Sequence, residues 1–179
     1  MGGLKAQSPE IYTDLYMEPM KYQQFKNFIG YELENYFLYV GDGKESLYLY
    51  ILDRNSGEKI YTLDERDIKA RRHAIRFFGL ADDQSTTVVT VSLEGDYSYG
   101  SHILIVENNK VYNAGFIQYG VDNFNFASIG LYAQFEKHED GFLMFFREDA
   151  RIINYATEEL IPGSEIEFLV TKQKITRTK

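Results

Sequence analysis

The stretch TTVVTVSLEGDYSYGSHILIVENNKVYNAGFIQ, Thr86–Gln118, decides the fold class. It is three runs of β-formers separated by two turn signals. Thr86–Glu94 alternates Val89, Val91 and Leu93 against Thr90, Ser92 and Glu94, which predicts a strand with one dry and one wet face. Gly95-Asp96 suits a type II′ turn, because glycine takes positive φ at no steric cost. Asn108-Asn109 suits type I′, and sets Glu107 opposite Lys110 as a charge pair. Thr86–Gln118 is therefore a three-strand meander, with Tyr97–Glu107 shared by two hairpins.

Two more hairpins flank it. Ser46–Asp53 returns as Glu58–Leu63 through Arg54-Asn55-Ser56-Gly57, and Leu131–Glu139 returns as Phe142–Arg147 through Asp140-Gly141, read as a type I′ turn. Leu47–Leu52 is apolar on both faces, as in a strand covered on both sides. Tyr31–Val40, Ile152–Tyr155 and Ser164–Thr171 also read as strands. Helices are expected only towards the N-terminal half. Ser8-Pro9-Glu10 is a helix start, with Ile11, Tyr12 and Leu15 on one face. Met20, Phe25, Phe28 and Ile29 then fit helical spacing up to Gly30. Residues 64–78 run from acid to base, as a helix dipole prefers, with a strand at His73–Phe78 as the competing reading. The expected fold is mainly β: an antiparallel β-sandwich or open barrel with one to three short peripheral helices in the N-terminal half. One domain spans residues 9–171, between a flexible N-terminus (1–8) and a frayed polar tail (172–179).

The 15 tyrosines and 13 phenylalanines agree with strands, and they put many hydroxyls near the surface. A net charge of −8 argues against nucleic acid and against anionic lipid. It is compatible with a basic protein or a neutral glycan. The chain has no cysteine, so disulfide and thiolate chemistry is excluded. No apolar run approaches the roughly 20 residues of a membrane span. Leu4-Lys5-Ala6-Gln7, ahead of a Tyr-rich β domain, resembles the mature starts of exported bacterial proteins. That resemblance implies a periplasmic or cell-surface location.

Catalytic and metal signals are weak. Asp53–Gly57 has Gly57 where a calcium loop wants an oxygen ligand, so it reads as a hairpin loop. Asp122-Asn123 and Asp82-Asp83 are acidic loops of ordinary kind. The three histidines, His73, His102 and His138, are far apart. A two-residue turn at Gly95-Asp96 would set His102 opposite Val89, on the apolar face. No catalytic residue, metal ligand or cofactor is assigned. The candidate binding site is the aromatic set at the ends of the central hairpins: Tyr97, Tyr99, Tyr112, Tyr119, Asp122, Asn123 and Phe124. The function this supports is a non-enzymatic binding domain for a protein or a glycan. One alternative is an inhibitor or immunity-type protein that blocks a basic toxin. The other is a small hydrolase with paired carboxylates. The sequence leaves the oligomeric state open.

Overall fold

The computed structural model describes residues 8–20, 28–41, 47–65, 70, 72–95, 99–122 and 128–179. In chain order the strands are β1 (Ile11–Asp14), β2 (Phe28–Glu32), β3 (Tyr36–Gly41), β4 (Leu47–Asp53), β5 (Lys59–Glu65), β6 (Arg72–Gly79), β7 (Thr86–Glu94) and β8 (Gly100–Glu107). There follow β9 (Lys110–Ile117), β10 (Tyr119–Val121), β11 (Ala133–His138), β12 (Gly141–Phe146), β13 (Arg151–Asn154), β14 (Glu159–Pro162), β15 (Glu167–Val170) and β16 (Ile175–Arg177). Every pairing between them is antiparallel.

Nine strands form one sheet in the order β16-β15-β12-β11-β1-β6-β7-β8-β9. It curls into a nearly closed barrel, and its two end strands approach one another. At that seam the side chain of Ile175 lies beside the bare Cα of Gly115, and Lys172 pairs with Glu107. A second sheet, β2-β3-β4-β5, and a small third one, β10-β13-β14, complete the fold.

Strand alternation divides the apolar residues into two cores. Tyr12, Phe78, Val88, Ile103, Ile105, Phe135, Met144 and Phe168 belong to the first, the inner side of the nine-stranded sheet, joined by Val121, Ile152 and Ile161 of the third sheet. Tyr36, Leu38, Leu49, Ile51 and Leu63 of the second sheet meet Phe77, Val89, Val91, Leu93, Leu104 and Val106 in the second core. Strands β6, β7 and β8 thus form a wall shared by both cores. Each fully buried Leu, Ile or Phe contributes about 1.5–3 kcal/mol, so both layers are held chiefly by this burial.

The shared wall overturns the wet face expected for Thr86–Glu94. Thr90 and Ser92 of that face are buried, as is Thr87 on the other side of the strand, and the hydroxyls of Thr87 and Ser92 find partners within the protein. Thr87 bonds the Tyr36 hydroxyl at 2.7 Å, and Ser92 bonds Ser101 and Ser128 at 2.8 and 2.9 Å. The Thr90 hydroxyl is buried with no hydrogen-bond partner among the described residues.

Among the described residues the expected helices are not present, and the helical residues are the 3-10 turns Ile129–Leu131 and Gly163–Glu165; residues 21–27, with Phe25, and residues 66–69 and 71, where two of the helices were expected, lie outside the described residues. Ile11–Asp14 is β1, which splices the sheet together: Ile11 and Tyr12 pair with β11, Thr13 and Asp14 with β6. Phe28 and Ile29 open β2. Of residues 64–78, the part from Arg72 onward is β6, the competing strand reading, paired with β7 from Arg72↔Glu94 to Phe78↔Val88. Long ladders supplied by distant segments outweigh a helix-like local pattern. Residues 172–179 include β16, paired with β15, where a frayed tail was expected.

Two turn readings also change. The last pairing of β7 with β8 is Leu93↔Gly100, so the connection is longer than two residues and His102 faces Val91, not Val89. The shift is even, so His102 stays on the predicted face. At the β11–β12 hairpin, His138 pairs with Gly141, so Glu139-Asp140 is the turn and Gly141 follows it.

Candidate functional site: an aromatic face on the second sheet

Alternation in β3 and β4 sends Tyr36, Leu38 and Val40, and Leu47, Leu49 and Ile51, into the second core. Phe37 and Tyr39, and Tyr48, Tyr50 and Leu52, then point to the other side and are half-buried. Register adds Phe28 and Gly30 from β2, which lie opposite Gly41 and Tyr39. Five rings share one face. Tyr39 and Tyr50, directly opposite in the ladder, stack with centroids 5.1 Å apart and planes 21° apart. Phe28 sets its edge against Tyr50 at 5.3 Å and against Tyr48 at 6.2 Å. Phe37 adjoins Tyr39 at 6.4 Å, and Tyr48 adjoins Tyr50 at 6.2 Å. Such offset and edge contacts each contribute about 0.5–1.5 kcal/mol beyond area burial, so the rings hold one another in place.

Gly30 is part of the arrangement. A Cβ there would come within 2.9 Å of the Tyr39 ring and 2.2 Å of the Met20 methyl, so any side chain would push Tyr39 out of its stack.

Charged groups rim the rings. The Lys59 ammonium lies 5.2 Å from the Tyr50 centroid, and the Arg54 guanidinium 5.8 Å from that of Phe37. Arg54 also pairs with Glu32 at 2.7 Å and donates to the Leu33 carbonyl at 3.1 Å. Thr62 and Asp64 of β5 lie opposite Tyr50 and Tyr48 and are exposed. Burial raises the pKa of Tyr39 and of Tyr50. Glu32 adds to it at Tyr39, and the neighbouring Tyr39 and Tyr48 phenols add to it at Tyr50. Both phenols therefore stay neutral, as hydrogen-bond donors and acceptors, at physiological pH.

The residues chosen from sequence do not all meet at one place. Tyr97, Asn123 and Phe124 lie outside the described residues. Tyr99 packs on the second core, whereas Tyr112 and Tyr119 pack on the first. Tyr112 carries the Lys172 ammonium over its ring at 4.8 Å. Tyr119 accepts a 3.3 Å bond from the Asn154 amide and sets its ring against Phe168. Asp122 lies 3.7 Å from the Arg151 guanidinium. Tyr119 and Asp122 do share one ribbon, since the Asp122 amide donates to the Arg151 carbonyl next to the β10–β13 ladder.

The aromatic face was missed because Leu47–Leu52 read as covered on both sides. Its signal is the interleaving Phe37-Leu38-Tyr39 and Tyr48-Leu49-Tyr50: aliphatic residues mark the buried side and rings the other.

Other chemistry is sparse. Asp53 Oδ1 accepts the Asn55 and Ser56 amides at 2.9 and 2.7 Å, which makes that loop an Asx turn. Among the described residues no group of three or more His, Asp or Glu side chains is placed to hold a metal ion. A groove of about 740 Å³ over β11, β12 and β15 is lined by Glu136, Glu148, Asp149 and Glu167. Arg147 grips Asp149 through two bonds and holds its carboxyl below the usual range, while Glu167 accepts the Thr178 hydroxyl at 2.7 Å. A general acid needs the opposite shift. Comparison with protein-family models, with curated proteins and with solved structures returned no match.

Proposed function

We propose that this chain is a non-enzymatic binding domain whose recognition surface is the outer face of β2–β5, and whose partner is a protein. The observation that carries the reading is the cluster of Phe28, Phe37, Tyr39, Tyr48 and Tyr50 on one side of a sheet whose other side is already packed. The solvent side of an antiparallel sheet is normally polar. A contiguous apolar patch rimmed by charge marks an interaction site.

Ring orientation favours a protein over a glycan. Stacking on a sugar needs an open ring face. Tyr39 and Tyr50 turn theirs towards each other, and Lys59 and Arg54 sit over Tyr50 and Phe37. Pre-packed tyrosines with a polar rim instead have the anatomy of a protein hot spot: rigid, amphipathic contact area at low entropy cost.

The test is cross-linked capture from cells that express the protein. The bait is the wild type, the double variant Tyr39→Ser/Tyr50→Ser, or Tyr16→Ser as a control, since Tyr16 is 78% exposed and lies outside the face. The double variant loses the contacts of Tyr39 and Tyr50 with each other and with Phe28, Phe37 and Tyr48, at about 0.5–1.5 kcal/mol each, so its fold is verified by circular dichroism before capture. The expected result is a partner captured by the wild type and by Tyr16→Ser but lost with the double variant. Undiminished capture by a folded double variant would place recognition elsewhere.

A further inference from the structure

The outer side of the barrel carries a second surface, separate from the aromatic face. Its groove of about 740 Å³ crosses β11, β12 and β15, whose inward residues fill the first core. Alternation turns Phe145 of β12 outward, half-buried, with Gln134 opposite it on β11 and Glu167 opposite it on β15. Glu136 stands two residues along β11 from Gln134, and Glu148 follows just past the end of β12. Elsewhere the chain covers outward rings with its own cations: Arg54 over Phe37, Lys59 over Tyr50, Arg147 over Tyr132 and Lys172 over Tyr112. Phe145 has neither a cation nor a second ring against it among the described residues. Its surroundings are acidic. Four carboxylates, Glu136, Glu148, Asp149 and Glu167, line the groove against Arg147 and Lys179. Arg147 is committed to Asp149, and the Lys179 ammonium donates to the Ser164 carbonyl at 2.5 Å. The Glu136 and Glu148 side chains have no ion-pair or hydrogen-bond partner among the described residues. A ring flanked by unpaired carboxylates suits a guanidinium, which stacks on the ring while its N–H groups donate to the carboxylates.

We infer that this groove seats an arginine side chain from an extended segment of a basic partner protein, with Phe145 against the guanidinium and Glu136, Glu148 and Glu167 around it. Charge complementarity selects that occupant at two ranges. The groove offers the unpaired carboxylates, and the net charge of −8 steers a basic protein towards the whole molecule. The groove belongs to the nine-stranded sheet, so the inference goes beyond the reading of β2–β5 and stands independently of it.

Fluorescence anisotropy of a labelled Gly-Arg-Gly-Arg-Gly peptide, titrated with the purified full chain at low salt, tests it. The wild type is expected to bind this peptide, and its lysine counterpart several times more weakly. Glu136→Gln/Glu148→Gln weakens binding about tenfold or more. Phe145→Leu, which leaves the net charge unchanged, weakens it about threefold or more. Glu34→Gln/Glu58→Gln removes two exposed charges from turns of the second sheet and changes binding by less than about twofold. Circular dichroism verifies the fold of each variant before titration. A wild type that does not bind, an equal loss in Glu34→Gln/Glu58→Gln, or wild-type binding by Phe145→Leu overturns the inference. So does displacement of the peptide by an equal concentration of free arginine amide, which would make the groove a site for small cations. The Tyr39→Ser/Tyr50→Ser variant binds the peptide as the wild type does, so failure of the aromatic face and failure of the groove are read separately.

Discussion

His102 is the residue whose environment has the clearest consequence for stability. It sits on β8 between the two layers, 6% exposed, with its ring 4.8 Å from that of Phe116. Nε2 lies 3.3 Å from a Glu65 carboxylate oxygen, and Nδ1 is buried with no hydrogen-bond partner among the described residues. Burial lowers its pKa from 6.5 to about 4, a shift that outweighs the nearby carboxylate. Above pH 6.5 the ring is neutral both folded and unfolded, and its contribution does not change with pH. Between about pH 6.5 and about 4 the unfolded chain takes up a proton that the folded chain refuses, so stability falls with falling pH by about 3 kcal/mol. Urea unfolding across that window should show the loss in the wild type. In His102→Leu it should be largely gone, and an unchanged slope would mean that other groups cause it. Asp53, Asp83 and Asp149, lowered by turn hydrogen bonds or by Arg147, add their own losses at lower pH.

At the scale of elements, turn chemistry decides which local signals survive. Asn108 and Asn109 have φ of 50° and 57°, and Glu107 pairs with Lys110 in the ladder, as the dipeptide implied. Asp140-Gly141 misled, because Gly141 has φ 153° for a reason other than the turn. A Cβ there would lie 2.2 Å from the Val170 carbonyl oxygen on β15, so the glycine admits a neighbouring strand. Gly100 is similar: φ is 133°, and a Cβ would lie 2.0 Å from the Ile117 carbonyl oxygen. Gly57, at φ 71°, has open space around it. Gly57→Ala should therefore cost only the strain of the left-handed conformation, about 1 kcal/mol. Gly100→Ala should cost several times that, because the β8–β9 backbone must separate. Equal costs in denaturant unfolding would show that the β8–β9 approach is looser than this. The N-terminal segments were misread for the opposite reason. The partners of β1 are Phe135, Glu136, Phe78 and Gly79, all more than 60 residues away, and no local window contains them.

For the whole molecule, the antiparallel β class and its four hairpins were legible, because each hairpin closes on itself within a short window. The layering was not. The polar side of Thr86–Glu94, with Thr90 and Ser92, turns out to face the barrel interior, where Ser128 meets Ser92 and Gly130 lies beside Thr90, while β2–β5 dock on the apolar side; a strand's own alternation does not say that both of its sides are covered. The candidate site followed the same rule. Tyrosines near loop ends stood out singly, whereas Phe28, Tyr39 and Tyr50 come together only once β2, β3 and β4 are in register. The two-core plan explains why an aromatic face is left over: one side of the second sheet is spent on the barrel wall, and among the described residues no strand covers the other, which carries rings and charges. The central claim is that this face is where a partner binds. Hydroxyl-radical footprinting tests it most directly, by comparing the chain alone with the chain in its captured complex. The account predicts protection of Phe28, Phe37, Tyr39, Tyr48 and Tyr50, with Tyr16 and Leu160 unchanged. Protection at Tyr99, Tyr112 or Tyr119, with the rings of β2–β5 unaltered, would contradict it.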